Sequence, residues 1–562
     1  MKKLIFILLG IITLSSCDVI TTSSNGNIES IDSSIVLSSS EGVESIDSSI
    51  ALSSSDNNSS SEETDKYLYV SLNGSVIFSQ VYEHGTEISS FYSLLDNIYE
   101  ELNEYYFDFY LDETFLEKVV FPLIVDRDIT IFVKSLESTN GLIYKLLGDN
   151  TYSVSATNDS LNNNNDVVIP YYHNGLSVST IDSFYGCYNL ESIILPNSII
   201  NIGSFYNCNS LKSIVIPRSV ESIRYHVFYG CRSLTSISVE NNNYFTSIDG
   251  VLFDINVSKL IAYPIAKTTQ TYNLPYGVKS IDDETFKECH NLKEIILPDS
   301  VESIGENAFR SSGLINITIP DSVTSLGAMA FNRCTSLKSI TLSNNITVIN
   351  DQTFYGCASL ESIVIPDSVT VMGIYIFYLC SKLTSVILSN NLTNIGIRTF
   401  YQCTSLTSVV LPEGLISIGV SAFAGCSSLT DIDIPDSITS IGDTAFSSCY
   451  NLKTIIIPNK VEIIGDGSFS NCLKLESIIL SNSLIYIGAD AFNNCRILKT
   501  IIIPSSVTVI MQQAFKSCTI IIIYAEVLSQ PSGWDLTFNY SNRPIYWGGT
   551  WHIDGTGNPT PN

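Results

Sequence analysis

The sequence predicts a repeat solenoid, and three observations predict it. Cysteines stand at Cys334, Cys357, Cys380, Cys403, Cys426, Cys449, Cys472, Cys495 and Cys518, each 23 residues after the last. A phenylalanine precedes each by three positions: Phe331, Phe354, Phe377, Phe400, Phe423, Phe446, Phe469, Phe492 and Phe515. Between these marks the same apolar positions recur. Self-similarity at a fixed period of this size is the signature of stacked units, none of which buries its apolar face alone. Because each unit packs only on its neighbours, 562 residues need not be divided among several globular cores.

Ahead of the repeats the chain reads as an address and a spacer. Met1-Lys2-Lys3 followed by the apolar run from Leu4 to Leu14 has the charged and apolar regions of a secretory signal. The run is short for a membrane span. It ends in Leu14-Ser15-Ser16-Cys17, which resembles the bacterial lipobox, and that resemblance implies that residues 1–17 are a lipoprotein signal whose Cys17 is diacylated and becomes the first mature residue. The alternative is an ordinary signal peptide with an incidental cysteine. Residues 18–65 carry ten acids and no base, and they contain the tandem strings Glu29-Ser-Ile-Asp-Ser-Ser-Ile-Val-Leu and Glu44-Ser-Ile-Asp-Ser-Ser-Ile-Ala-Leu. Too little apolar surface is present to offset chain entropy, so a disordered tether is expected.

The pattern changes over residues 66–136. Tyr67-Leu-Tyr-Val-Ser-Leu, Phe107-Asp-Phe-Tyr and Ile129-Thr-Ile-Phe-Val read as strands, and residues 88–102 have helix-like apolar spacing. Tyr82-Glu-His-Gly-Thr, Phe107-Asp-Phe-Tyr-Leu-Asp and Asp128-Ile-Thr-Ile-Phe-Val-Lys resemble the Listeria–Bacteroides repeat, the internalin-B B-repeat. That implies a small β-grasp-like module, although Phe-Asp-Phe-Tyr stands where that family has Gly-Trp-Tyr.

Within the array one unit shows the local logic. In Leu337 to Leu342, strand alternation turns Leu337, Ile340 and Leu342 inward and Ser339 and Thr341 outward. A turn follows, often holding a proline such as Pro366, Pro412 or Pro435, and Ile349 and Phe354 return to the core from the far side. The recurring string Leu-x-Ser-Ile-x-Ile-Pro-x-Ser-Val-x-x-Ile-Gly-x-x-Ala-Phe-x-x-Cys, seen in Leu360 to Cys380 and Leu429 to Cys449, resembles BspA-like leucine-rich repeats. Earlier units extend it through Phe184, Phe205, Phe228, Phe286 and Phe309, with Ser312 in the cysteine position of the last. The insert around Gly250-Val-Leu-Phe-Asp and Leu260-Ile-Ala-Tyr-Pro also resembles that family. The resemblance implies a parallel β-sheet on one face, an N-terminal cap at 140–183, an array over 184–523 and a C-terminal closing segment over 524–562. It also implies a role in adhesion at a bacterial surface.

Several chemistries are disfavoured. A net charge of −28 argues against nucleic acid, whose phosphates need a basic face. Residues 18–65 and 81–128 supply twenty of those charges, so the array is nearly balanced. Thirteen array cysteines in a secreted chain raise the possibility of disulfides. Recurrence once per unit, with serine as the one replacement, favours instead a ladder of small buried thiols. Cys-x-x-Cys pairs and histidine partners at ligand spacing are lacking, so no metal is expected. His84, His173, His226, His290 and His552 fall outside the repeat phase. No catalytic residue, enzyme activity or cofactor is expected.

The outward strand position is the candidate site. Between the two core residues of each strand stand Ile194, Val215, Ser238, Ile296, Thr318, Thr341, Val364, Ile387, Val410, Asp433, Ile456, Ile479 and Ile502, and nine of these thirteen are aliphatic. Strand propensity alone accounts for isoleucine and valine there. The sharper reading is an apolar stripe that buries against a partner. The expected function is binding of an extracellular protein or host matrix component, with membrane attachment through the lipid on Cys17. The alternative is a self-associating component of the cell envelope.

Overall fold

The computed structural model describes residues 138–162 and 164–562 with their side chains, and before them the backbone of a few strands. Apart from Ile12–Thr13, residues 1–65 lie outside the described residues, and with them Cys17 and the expected tether. The strands expected from the sequence fall within Lys66–Leu72, Tyr105–Tyr110 and Ile129–Glu137. Lys66–Leu72 pairs antiparallel with Ser75–Tyr82 and parallel with Ile129–Glu137, which pairs antiparallel with Tyr105–Tyr110. Beyond Ile88, which belongs to the strand Thr86–Ile88, the helix-like stretch lies outside the described residues.

The described residues form two compact units, one up to Cys208 together with Ile214–Val227, the other Asn209–Ser213 together with Phe228–Asn562. In the first, the hairpin Ile143–Leu146 and Tyr152–Ser155 leads into parallel pairing with Leu176–Ser183, Asn201–Ser204 and Ser222–Ile223. Phe184 and Phe205 stack beneath it, ring centroids 5.5 Å apart.

The second unit is a parallel β-solenoid, as the period requires. Its core is one continuous column. Eleven phenylalanines from Phe286 to Phe515 stack face over face with centroids 5.1 to 5.8 Å apart and interplanar angles of 0° to 15°. Full burial of each is worth about 1.5–3 kcal/mol. The nine cysteines from Cys334 to Cys518 are buried thiols, not disulfides. From Cys357 to Cys518 each thiol donates to the carbonyl of the phenylalanine 26 residues earlier, at 3.0 to 3.3 Å, as Cys403 does to Phe377. The position takes a side chain small enough for the core, and Ser312 fills it in its own unit as a buried hydroxyl 3.3 Å from Cys334 Sγ.

Two features of the unit go beyond the sequence reading. A second parallel sheet runs on the far side of the proline turn. Its strands are only two residues long, such as Asn394–Ile395, Ser417–Ile418 and Ser440–Ile441, and each buries its isoleucine. The glycine after that isoleucine is set by the stacking distance: a Cβ on Gly442 would lie 2.6 Å from Val420 N in the preceding unit. The return to the Phe-x-x-Cys segment then uses left-handed backbone twice per unit. Non-glycine residues often hold these positions, for example Tyr375 (φ 58°), Leu379 (φ 61°), Arg398 (φ 51°) and Gln402 (φ 58°). Each costs roughly 1–2 kcal/mol, which the packed phenylalanine beside it offsets.

Closure at the C-terminal end replaces the repeat by aromatics. Phe538 meets Phe515 edge-on at 6.3 Å, and Trp534 packs on Phe538 at 5.3 Å while its indole N–H donates to Val507 O at 3.1 Å. The phenylalanine column thus ends on buried rings rather than on water.

Candidate partner-binding face

Most first-sheet strands present one side chain outward between two buried neighbours, and parallel register stacks those side chains into a column. Val364 lies opposite Ile387, and Ile387 forms a bridge to Val410. Ile456 lies opposite Ile479. The buried flanks are Ile363 and Ile365 in one strand and Val386 and Leu388 in the next. Alternation does the rest: the same pleat that buries isoleucine and leucine holds the residue between them in solvent.

Of the nine aliphatic positions, seven are exposed: Val215, Ile296, Val364, Ile387, Val410, Ile456 and Ile479. Val410 reaches 82% and Ile387 62%, so both present most of their surface to solvent. Ile194 and Ile502 are half-buried instead. Ile502 has Tyr524 as its cross-strand neighbour, and Tyr524 stacks on Tyr546 at 5.3 Å, so the closing segment narrows the space there. Ile194 is paired with Val168 in the first unit.

The column in the second unit is not uniform. Thr318 and Thr341 separate Ile296 from Val364, and exposed Asp433 separates Val410 from Ile456. The continuous apolar stretches are therefore Val364–Ile387–Val410 and Ile456–Ile479. Around Val410 and Asp433 the strand ladder itself lapses, and backbone pairing resumes at Thr454–Ile456. Outward serines and threonines flank the stripe, among them Ser362, Ser385, Ser408 and Thr454. An ion pair beside it, Lys499 to Glu476 at 3.1 Å, is exposed on both sides and worth little.

A second surface feature was not anticipated. Tyr355, Tyr378 and Tyr401 stack beside the phenylalanine column with centroids 4.7 Å apart, and Arg398 lies 5.7 Å from the rings of Tyr375 and Tyr401. The recurring Phe-Tyr pair at 354–355, 377–378 and 400–401 carries the signal for it.

Buried chemistry is inert by contrast. Burial pushes the Cys334 and Cys472 thiols up to about 12, against weaker opposing hydrogen bonds. A protonated, inaccessible thiol is neither nucleophile nor metal ligand. Among the described residues, no group of three or more His, Cys, Asp or Glu side chains is placed to hold a metal ion.

A family model described as a BspA type leucine rich repeat region matches residues 179–264, 263–384, 302–414 and 393–522. No curated protein matches the chain. Among solved structures, a leucine-rich repeat protein from Bacteroides ovatus is 23% identical over 73% of this chain and 98% of its own, with a TM-score of 0.45. A leucine rich cell surface protein from Faecalibacterium prausnitzii is 26% identical over 72% of this chain and 96% of its own, with a TM-score of 0.37. The pneumococcal vaccine antigen PcpA is 18% identical over 73% of this chain and 98% of its own, with a TM-score of 0.35.

Proposed function

Because the chain belongs to the BspA-type leucine-rich repeat family, we propose that it is a bacterial surface protein whose outward strand column binds another extracellular protein, with a host protein or matrix component as the partner. The observation that carries this reading is the apolar stretch Val364–Ile387–Val410 and its companion Ile456–Ile479, exposed side chains stacked from one unit to the next. Contiguous exposed apolar surface of this kind costs solubility and is kept where a partner covers it. The buried phenylalanine stack holds the backbone beneath this stretch, which limits the order lost on binding.

The remaining parts of the chain fit the same reading. Cys17 carries a diacylglycerol anchor, each buried methylene contributing about 0.8 kcal/mol to membrane attachment. Residues 18–65 form an acidic, self-repelling spacer, and residues 66–136 a B-repeat-like module, which together hold the array away from the membrane. Adhesion of cells that display the protein to immobilised host matrix proteins tests the proposal. Equal adhesion by cells lacking it contradicts host binding. Light scattering on the purified protein tests the alternative, a self-associating envelope component: concentration-dependent assembly supports it, and a strict monomer opposes it.

A further inference from the structure

The first sheet of the second unit has an open edge inside the chain. The strand Thr271–Asn273 is terminal in its sheet of four, followed by Glu294–Ile296, Asn316–Thr318 and Ser339–Thr341. Its register places Thr271 opposite Glu294 and Asn273 opposite Ile296. Glu294 N–H donates to Gln270 O at 3.0 Å, and Leu274 N–H donates to Ile296 O at 3.0 Å. In a parallel pair this pattern assigns the backbone groups of 270, 272 and 274 to the neighbouring strand and turns those of Thr271 and Asn273 the other way. Two N–H and two C=O groups therefore face away from the sheet at strand spacing. No partner for them is present among the described residues. In Asn316–Thr318, by contrast, strands pair on both sides.

The insert creates this edge. The hairpin Phe245–Ile248 and Val251–Asp254 turns at Asp249 and Gly250, both left-handed (φ 52° and 76°), and Gly250 O accepts from Ile237 N–H at 2.9 Å. The tip is thus tied to the preceding strand, Ser236–Val239, not to Thr271–Asn273. The space left is an open cleft of about 400 Å³ lined by Asp249, Lys267, Thr269, Thr271, Tyr272 and Asn273. Lys267 is fixed on its wall by donating to the Asp249 carbonyl. The hydroxyl of buried Tyr272 has no hydrogen-bond partner.

We propose that this cleft binds an extended peptide segment by strand addition to the Thr271–Asn273 edge. Exposed edges are liabilities that proteins ordinarily cover, and a partner strand is what satisfies one. The edge is three residues long, about 10 Å, so it reads three to four residues of main chain. Alternating donors and acceptors at strand spacing match the repeat of a peptide backbone. One carboxylate and one ammonium on polar walls favour small polar side chains over bulky apolar ones. This site is separate from the outward aliphatic column and does not depend on it.

The test uses the full-length protein to pan a random heptapeptide library on phage, followed by fluorescence titration of a recovered synthetic peptide. Thr271→Pro removes the outward N–H and spares the bonds to Glu294–Ile296, in which the Thr271 backbone takes no part; proline is tolerated at such an edge. Expected are serine-, threonine- or asparagine-rich peptides whose affinity falls about tenfold in Thr271→Pro, the loss of one backbone hydrogen bond. Hydrogen exchange on the unaltered protein decides independently of any variant: the Thr271 and Asn273 amides, fast when free, slow when peptide is added. The proposal is overturned if panning yields no peptide, if Thr271→Pro binds equally, or if those amides do not respond. Displacement of the peptide by simple oligosaccharides would assign the cleft to sugars and overturn it as well.

Discussion

The two faces of each first-sheet strand are one residue apart in sequence and follow different rules. Inward, the side chain is isoleucine or valine in unit after unit, as in Ile363, Val386, Val409, Ile432 and Ile455. Outward, the same strands offer Val364, Ile387, Val410, Asp433 and Ile456. The inward series is uniform because each member must fit between copies of itself, and the fully buried Phe–Cys column imposes one size and one hydrogen bond per unit. The outward series changes from apolar to acidic and back while the buried phenylalanine stack continues beneath it, although the strand ladder lapses at Asp433. Uniformity here marks packing, and departure from it marks a surface that packing leaves free to vary.

The largest expected effect breaks the inward series. Phe400→Ala opens a cavity between Phe377 and Phe423, and equilibrium unfolding in denaturant should show a loss of about 3–5 kcal/mol. Alkali attacks the same column through its thiols. An ordinary cysteine loses its proton near pH 8.5, whereas the folded Cys334 and Cys472 thiols keep theirs up to about 12. Their folded pKa is raised, so the contribution is complete below pH 8.5 and is lost as pH rises toward 12. Each should cost about 1.4 kcal/mol per pH unit in that window, and Cys472→Ser should flatten the alkaline limb of a stability–pH curve.

Smaller effects sharpen the comparison. Cys403→Ala keeps the volume nearly right but removes the donor to Phe377 O, and a loss of about 1–2 kcal/mol is expected from chemical unfolding. Leu379→Asn places a residue that tolerates left-handed backbone at an exposed position with φ 61°, and thermal unfolding should show a gain of up to about 1 kcal/mol.

Legibility from sequence followed the same division. The inward pattern was readable because period-2 alternation inside a 23-residue repeat leaves one consistent core, and Leu337, Ile340 and Leu342 are buried as it requires. The second sheet was not readable, since two-residue strands such as Ser440–Ile441 are too short to show alternation. Left-handed turns at Tyr375, Arg398 and Gln402 carried no glycine to announce them. The half-burial of Ile502 depends on Tyr524 in the closing segment, a tertiary neighbour that a repeat-by-repeat reading does not include. The free edge at Thr271–Asn273 likewise arises from where the insert's hairpin is tied, not from the composition of the edge.

Partner binding is proposed for the outward column, and support of the stack is the work of the inward one. The quadruple variant Ile387→Ser, Val410→Ser, Ile456→Ser and Ile479→Ser tests it most directly, with matrix binding and thermal unfolding measured on the same preparation. Exposed substitutions of this kind should each change stability by no more than about 0.5 kcal/mol, so binding is expected to be lost from a protein that melts almost as the original does. Undiminished binding by a variant that melts normally would contradict the account.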